Sequence, residues 1–251
     1  MRFTRKAILD GEVMLGTWLN LGSPQPAEIA GLAGFDWVLI DREHGSGDEK
    51  DMSLQILAAQ CGATAPIVRV SGIDPAEIKR VLDWGPAGIM APSIDTPEEA
   101  ARLLHAVRIP PLGARGAASS TRASRYGFGY QEYLRDANAT LVTMVQMESS
   151  LAVENVAAIA AIDGVDVLFV GPTDLSISMG VSDSSEGFHA ALSRVSEAAR
   201  GSNKATGILA RTQEQAARYR GMGFSVIAIE SDRGLLAKGF ARAVSAFHAT
   251  E

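Results

Sequence analysis

The chain has 251 residues, of which 47% are apolar and 21% charged; this supplies a substantial core and excludes a disordered chain. A formal charge of −6 without clusters of Lys or Arg disfavours nucleic acid and anionic membrane as partners. Cys61 is the single cysteine, so no internal disulfide ties the chain to an oxidising compartment, and no apolar run reaches membrane-spanning length; the expectation is a soluble, cytoplasmic protein.

Strand-like and helix-like segments alternate along the chain. Short runs rich in Val, Ile and Leu predict strands near 14–20, 37–41, 66–70, 88–92, 140–148, 165–171, 205–210 and 225–230. Their continuous apolar character is that of parallel strands buried on both faces. Helical patterns fall between them, near 25–33, 49–60, 75–83, 97–107, 150–160, 187–200, 212–220 and 233–247. Asp74-Pro75 and Thr96-Pro97 each set a capping side chain before a proline at the first helical position, with Glu77 and Glu98 in the first turn.

Eight βα repeats in a chain of this length predict an α/β protein with a TIM (β/α)8 barrel as a single domain over residues 1–251. An open doubly wound sheet is the alternative, but no phosphate-binding glycine fingerprint follows the first strand, where the turn reads Asn20-Leu21-Gly22-Ser23-Pro24. One long insertion, about 108–130, reads as a functional or interface loop.

In such a barrel the reacting groups sit at the C-terminal ends of the strands. Four strand ends carry suitable residues: Asp41, Glu43 and His44; Arg69; Gln146 and Glu148; and Asp174. Glu148 and Asp174 are one βα unit apart, so they fall at neighbouring strand ends. Two carboxylates without a cysteine suit a hard or borderline divalent ion such as Mg²⁺ or Mn²⁺, with further positions for water and substrate. An acid/base carboxylate pair without metal and two helix N-caps remain alternatives. His44 lies three residues after Asp41, close enough for that carboxylate to bond one ring nitrogen and leave the other to move a proton; a plain surface histidine is the rival reading. Arg69 is placed to bind a substrate carboxylate or an enolate oxygen, with a structural salt bridge to Asp41 or Glu148 as the competing role. The turn Gly171-Pro172-Thr173-Asp174 offers backbone N–H groups that can hold a small carboxylate. Lys6, Lys50, Lys79, Lys204 and Lys238 fall away from strand C-terminal ends, which disfavours Schiff-base chemistry.

Several blocks in order, Ile40-Asp41-Arg42-Glu43-His44-Gly45, Pro66-Ile67-Val68-Arg69-Val70, Gly88-Ile89-Met90-Ala91-Pro92, Gly113-Ala114-Arg115-Gly116, Gln146-Met147-Glu148-Ser149 and Gly171-Pro172-Thr173-Asp174-Leu175-Ser176, resemble the HpcH/HpaI aldolase family of class II, metal-dependent pyruvate aldolases. The resemblance covers nearly the whole chain. It implies a divalent ion (Mg²⁺, Mn²⁺ or Co²⁺) held by Glu148 and Asp174, with pyruvate chelating it. It further implies Arg69 on the keto oxygen and enolate, Gln146 lining the pocket, the amides around Gly171, Pro172 and Thr173 on the carboxylate, and His44 paired with Asp41 for acid/base work. Glu43 and Asp83 would support these groups, Asp83 from a neighbouring subunit or else as a helix cap. Members typically form homohexamers, trimers of dimers.

The implied reaction is reversible cleavage of a 4-hydroxy-2-oxo acid, of sugar-acid or aromatic-catabolite type, into pyruvate and an aldehyde through a metal-bound enolate. A lyase acting on a β-hydroxyacyl-CoA of malyl-CoA type and a non-catalytic binding barrel are the alternatives. Ser149, the turn Ile229-Glu230-Ser231-Asp232 and the stretch 181–188 depart from the family's usual pattern.

Overall fold

The computed structural model describes residues 2–249. Eight parallel strands close in sequence order into a barrel: β1 (Met14–Leu19), β2 (Trp37–Asp41), β3 (Ala65–Arg69), β4 (Gly88–Ala91), β5 (Val142–Met147), β6 (Val167–Val170), β7 (Ala205–Ala210) and β8 (Val226–Ser231). This is the TIM barrel expected from the alternating pattern, and each strand lies where an apolar run foretold it. Helices α2 (Pro24–Leu32), α3 (Glu49–Cys61), α4 (Pro75–Asp83) and α5 (Pro97–Val107) follow the first four strands. The anticipated caps form: Asp74 accepts from the Ala76 amide, and Thr96 and Glu99 make a reciprocal capping box.

Two cores result. One lies between strands and helices, and the other fills the barrel interior with Met14, Trp18, Trp37, Ile67, Met144 and Phe169 among its members. Trp18, Trp37 and Phe169 pack as a cluster, with ring centroids 5.4 to 6.4 Å apart. The bulk of Trp37 is accommodated because Gly16 has no side chain: a Cβ there would stand 2.1 Å from the indole. Phe3 and Ile8 join the core inside the barrel, Ile8 from α1 (Arg5–Leu9), a short helix with no strong sequence signal, and Phe3 from the segment just before it. Arg5 fixes it through a 2.8 Å ion pair to Asp166, whose other oxygen accepts from the Thr143 amide.

The expected loop at 108–130 is more ordered than foreseen. It contains a 3₁₀ turn, Arg122–Gly127, and leads directly into α6 (Tyr130–Thr140), which shortens the fifth strand at its start. α6 escaped the sequence reading because its composition is polar and only Ala137 is buried. The single helix expected over 150–160 is two, α7 (Ser150–Glu154) and α8 (Val156–Ala160), while the turn after β6 leads into a short helix as expected, α9 (Pro172–Met179). α10 (Glu186–Gly201), α11 (Gln213–Gly221) and α12 (Asp232–His248) complete the chain.

At the departure Ile229–Asp232, Glu230 takes a left-handed φ of 59°, next to a register shift between β1 and β8. α12 buries only Asp232 and leaves Leu235, Leu236, Phe240 and Val244 exposed. Among the described residues no helix is long and apolar enough to cross a membrane.

Candidate active site

Glu43, His44, Arg69, Ser93, Asp95, Glu148, Ser149 and Asp174 line one cleft of about 240 Å³ at the C-terminal end of the strands. Barrel closure brings together residues from five separate βα junctions, among them Glu43, His44, Arg69, Glu148 and Asp174, which the sequence singled out; Asp41 and Gln146 contact Arg69 from beneath, and Pro172 and Thr173 line an adjacent recess.

Arg69 is the most constrained of them. It ends β3 directly across from Asp41 on β2. Its Nε and Nη2 donate to the two Asp41 oxygens at 3.0 and 2.7 Å, the two-pronged geometry that fixes a guanidinium in plane. Nη1 donates to Gln146 Oε1 at 3.4 Å and lies 2.9 Å from Glu43 Oε2. The group sits over the Trp18 ring, 5.6 Å from its centroid. With 7% of its side chain exposed, Arg69 is a buried charge whose desolvation cost these partners offset.

The rival salt bridge foreseen for Arg69 is therefore present with Asp41, while Glu148 takes no part in it. The proposed pairing of Asp41 with the His44 ring does not occur. Asp41 Oδ1 accepts instead from the backbone amides of Glu43 and His44, at 3.0 and 3.2 Å, and Oδ2 accepts from Asn20 Nδ2 at 2.7 Å. A spacing of three residues closes the loop back on its own carboxylate through the main chain, leaving both acceptor oxygens saturated. The His44 imidazole points outward, 71% exposed, with Nε2 3.7 Å from Glu43 Oε1. Burial alone would raise the Asp41 carboxyl, but the Arg69 hydrogen bonds and charge, with the two amides, hold it below the ordinary carboxylate range.

The acidic side behaves oppositely. Glu148 is pushed up, first by burial and then by the charges of Glu43 and Asp174, although Ser93 donates to its Oε1 from both the amide (2.8 Å) and the hydroxyl (3.0 Å). Its Oε2 accepts from Gln146 Nε2. Glu43 is also raised, chiefly by burial, despite Arg69; its Oε2 accepts no hydrogen bond. The N-cap alternatives for the carboxylate pair fall away. Ser149 caps α7, and Asp174 is in the first turn of α9, whose cap Gly171 receives no side-chain bond.

Gly171 is required by close approach: a Cβ would lie 2.9 Å from Gln146 Nε2 and 3.0 Å from Glu148 Oε2. Thr173 Oγ1 accepts from Arg211 Nη2 at 2.7 Å.

Asp83 is not brought to the cleft of its own chain. It is the last residue of α4, at the far end of the barrel, with a buried Oδ1 that has no partner and a carboxyl raised by burial. A cap role is also ruled out, since Asp74 caps that helix. None of the lysines lines the cleft, and Lys238 is held by Glu230.

Four residues missed in the sequence, Ser93, Asp95, Asn20 and Asp232, complete the site. Ser93 adopts a left-handed φ of 52° to present its two donors to Glu148. Asp95 accepts from Ser149 Oγ at 2.5 Å. Asp232 accepts from the amides of Asn20 and Leu21 at 2.8 and 3.1 Å, so the first residue of α12 positions the loop whose Asn20 orients Asp41. Ser93 follows a proline just past a strand end, a weak signal at best; nothing local marks Asn20 or Asp232.

No group of three or more His, Cys, Asp or Glu that could hold a metal occurs among the described residues. The cleft instead concentrates oxygen donors in excess of cations: Glu43, Asp95, Glu148 and Asp174 face a single arginine already paired with Asp41. That uncompensated charge fits a divalent cation completed by water or substrate.

Fold and strand-end chemistry together define a (β/α)8 enzyme scaffold. A profile of the HpcH/HpaI aldolase/citrate lyase family matches residues 14–239, and the chain belongs to this family. It is similar to the 5-keto-4-deoxy-D-glucarate aldolase of Salmonella arizonae, 38% identical over 243 residues that cover 96% of this chain and 94% of the relative. The structure is similar to that of an HpcH/HpaI aldolase/citrate lyase family protein from Burkholderia cenocepacia, with a TM-score of 0.92, 36% identity, and coverage of 97% of this chain and 98% of the neighbour. An HpcH/HpaI aldolase from Desulfitobacterium hafniense follows at a TM-score of 0.90 and 26% identity, covering 97% of this chain and 95% of its own. The protein is thus a lyase of the aldolase type.

Proposed function

We propose that the protein reversibly cleaves a 4-hydroxy-2-oxo sugar acid into pyruvate and an aldehyde, as a class II aldolase. The observation that carries this is the opposition in one cleft of a rigidly clamped guanidinium, Arg69, and a carboxylate pair, Glu148 and Asp174, with no lysine beside them. The name of the Salmonella relative supports a sugar acid over an aromatic catabolite.

Glu148 and Asp174 would hold a divalent ion, Mg²⁺, Mn²⁺ or Co²⁺. Such an ion supplies Lewis-acid stabilisation of negative charge developing on a 2-oxo acid. The chain's own groups do the rest. Arg69 is fixed by Asp41 before substrate arrives, so its N–H groups stabilise an enolate oxygen without reorganisation. Gln146, bonded to both Arg69 and Glu148, keeps the two sides in register. The α9 N-terminus, with amides at Thr173 and Asp174 free of a side-chain cap, suits the pyruvyl carboxylate. His44, solvent-facing at the rim beside Glu43, is the group to take the C4 hydroxyl proton as the C3–C4 bond breaks.

Assembly into a homohexamer is part of this reading. The exposed apolar face of α12, together with Ile29 and Leu32 on α2, supports burial against other copies of the chain. Light scattering of the purified protein tests it.

The activity is tested by following pyruvate release from 5-keto-4-deoxy-D-glucarate before and after dialysis against EDTA. Release that stops in chelator and returns with Mn²⁺ is expected; full activity in chelator, or borohydride trapping of a lysine adduct, would sink the proposal.

A further inference from the structure

The C-terminal end of the barrel carries a second cation to which the reaction above gives no role. Arg211 follows the last residue of β7, and its backbone N–H donates to Gln215 Oε1 at 2.8 Å. Its Nη2 donates to Thr173 Oγ1 at 2.7 Å. Thr173 stands between Pro172 and Asp174, so the guanidinium rests against the turn that separates the acidic cleft from a small recess of about 70 Å³. Arg211 and Tyr219 line that recess.

Arg211 differs from Arg69 in what it lacks. It is exposed, and among the described residues no carboxylate lies within ion-pair range of it. Asp183 lines the same recess but forms no ion pair with it. A guanidinium has five N–H donors, and a single neutral hydroxyl engages this one. Arg233, another arginine at this end of the barrel, is committed to Asn20 O and Ser46 Oγ. The cleft itself offers no second cation for a further carboxylate, since Glu43, Asp95, Glu148 and Asp174 outnumber Arg69. A substrate with a carboxylate at each end therefore needs an unpaired cation beyond the cleft for the end that does not react.

We propose that Arg211, oriented by Thr173, is the specificity-determining residue that receives the terminal carboxylate carried by the aldehyde half of a dicarboxylic 4-hydroxy-2-oxo acid. The inference rests on the aldolase reading and adds to it a substrate class: doubly charged acids over those ending in a neutral hydroxymethyl group.

The test compares two acceptors in pyruvate addition, 2-hydroxy-3-oxopropanoate and glyceraldehyde, which differ only in a carboxylate against a hydroxymethyl. Exchange of pyruvate methyl protons in D₂O, which needs no aldehyde, is measured alongside. Arg211→Gln is expected to lower kcat/KM for the charged acceptor by about tenfold to a hundredfold, the worth of a charge-assisted hydrogen bond, while glyceraldehyde addition stays within about twofold. Methyl exchange should be unchanged, and Arg211→Lys should recover part of the loss. Equal losses for both acceptors, or none for the charged one, would overturn the assignment of Arg211 while leaving the aldolase reading intact. A wild-type protein that exchanges no methyl protons in the presence of Mn²⁺ would overturn both.

Discussion

Arg69 and Asp41 face each other across adjacent strands and share two hydrogen bonds, so the one cation of the cleft is immobilised from beneath by the barrel itself. Substituting Asp41→Asn leaves a buried guanidinium without its main counter-charge. We expect a loss of about 3–5 kcal/mol in denaturant unfolding at neutral pH. The pH dependence has a definite sign. The folded Asp41 carboxyl lies below its ordinary value of 3.8, so its contribution is complete above that value and is lost as pH falls through the lower, folded one. The gap between wild type and Asp41→Asn should hold from neutral pH down to about 4 and close only in stronger acid.

Glu148 titrates in the opposite sense. Burial and its acidic neighbours raise it, so its ionised form costs stability once the pH exceeds the folded value, and protonation relieves that cost. Without metal, Glu148→Gln should be more stable than wild type at neutral pH. With Mn²⁺ the order should reverse, because wild type gains about 2.7 kcal/mol at a hundredfold excess over Kd and the variant loses that gain. Thermal unfolding with and without Mn²⁺ measures both; a variant stabilised by Mn²⁺ as strongly as wild type would remove Glu148 from the ion's ligands.

Gly171→Ala should separate geometry from fold. The new Cβ would press on Gln146 and Glu148 at 2.9 and 3.0 Å, displacing the carboxylate rather than the core. We expect kcat to fall by about a hundredfold, as misplacement by an ångström does, with a far-ultraviolet circular dichroism spectrum like wild type.

Gly16→Ala should do the reverse. Its Cβ would enter the Trp37 ring at 2.1 Å, and the indole is fully buried beneath Trp18 and Phe169. Overpacking of this kind costs about 1–3 kcal/mol or more, read as a lowered denaturation midpoint together with perturbed tryptophan fluorescence.

Asp232→Ala tests whether the start of α12 positions the site at a distance. Asp232 holds the amides of Asn20 and Leu21, and Asn20 in turn holds Asp41. Removing its charged hydrogen bonds should cost about 1.5–3 kcal/mol of stability and lower kcat more than it raises KM. An unchanged kcat would mean that Asn20 keeps Asp41 in place unaided.

Much of this protein was written in the order of its residues. Continuous Val, Ile and Leu runs mark buried parallel strands because no polar face is needed, and eight of them with intervening helices admit one closed architecture. Since such strands end at a common face, Glu43, His44, Arg69, Glu148 and Asp174 could be assigned to one site before any distance was known. Which of them touch was settled only by barrel closure. Strand register set Arg69 opposite Asp41, and the tight loop after β2 turned Asp41 towards main-chain amides and away from the His44 ring. Ser93, Asn20, Asp232 and Arg211 carry no distinguishing local signal, and they gain their partners 55, 21, 212 and 38 positions away. Local composition records the free energy of burying a segment. It holds no record of hydrogen bonds formed only after distant segments have been brought together.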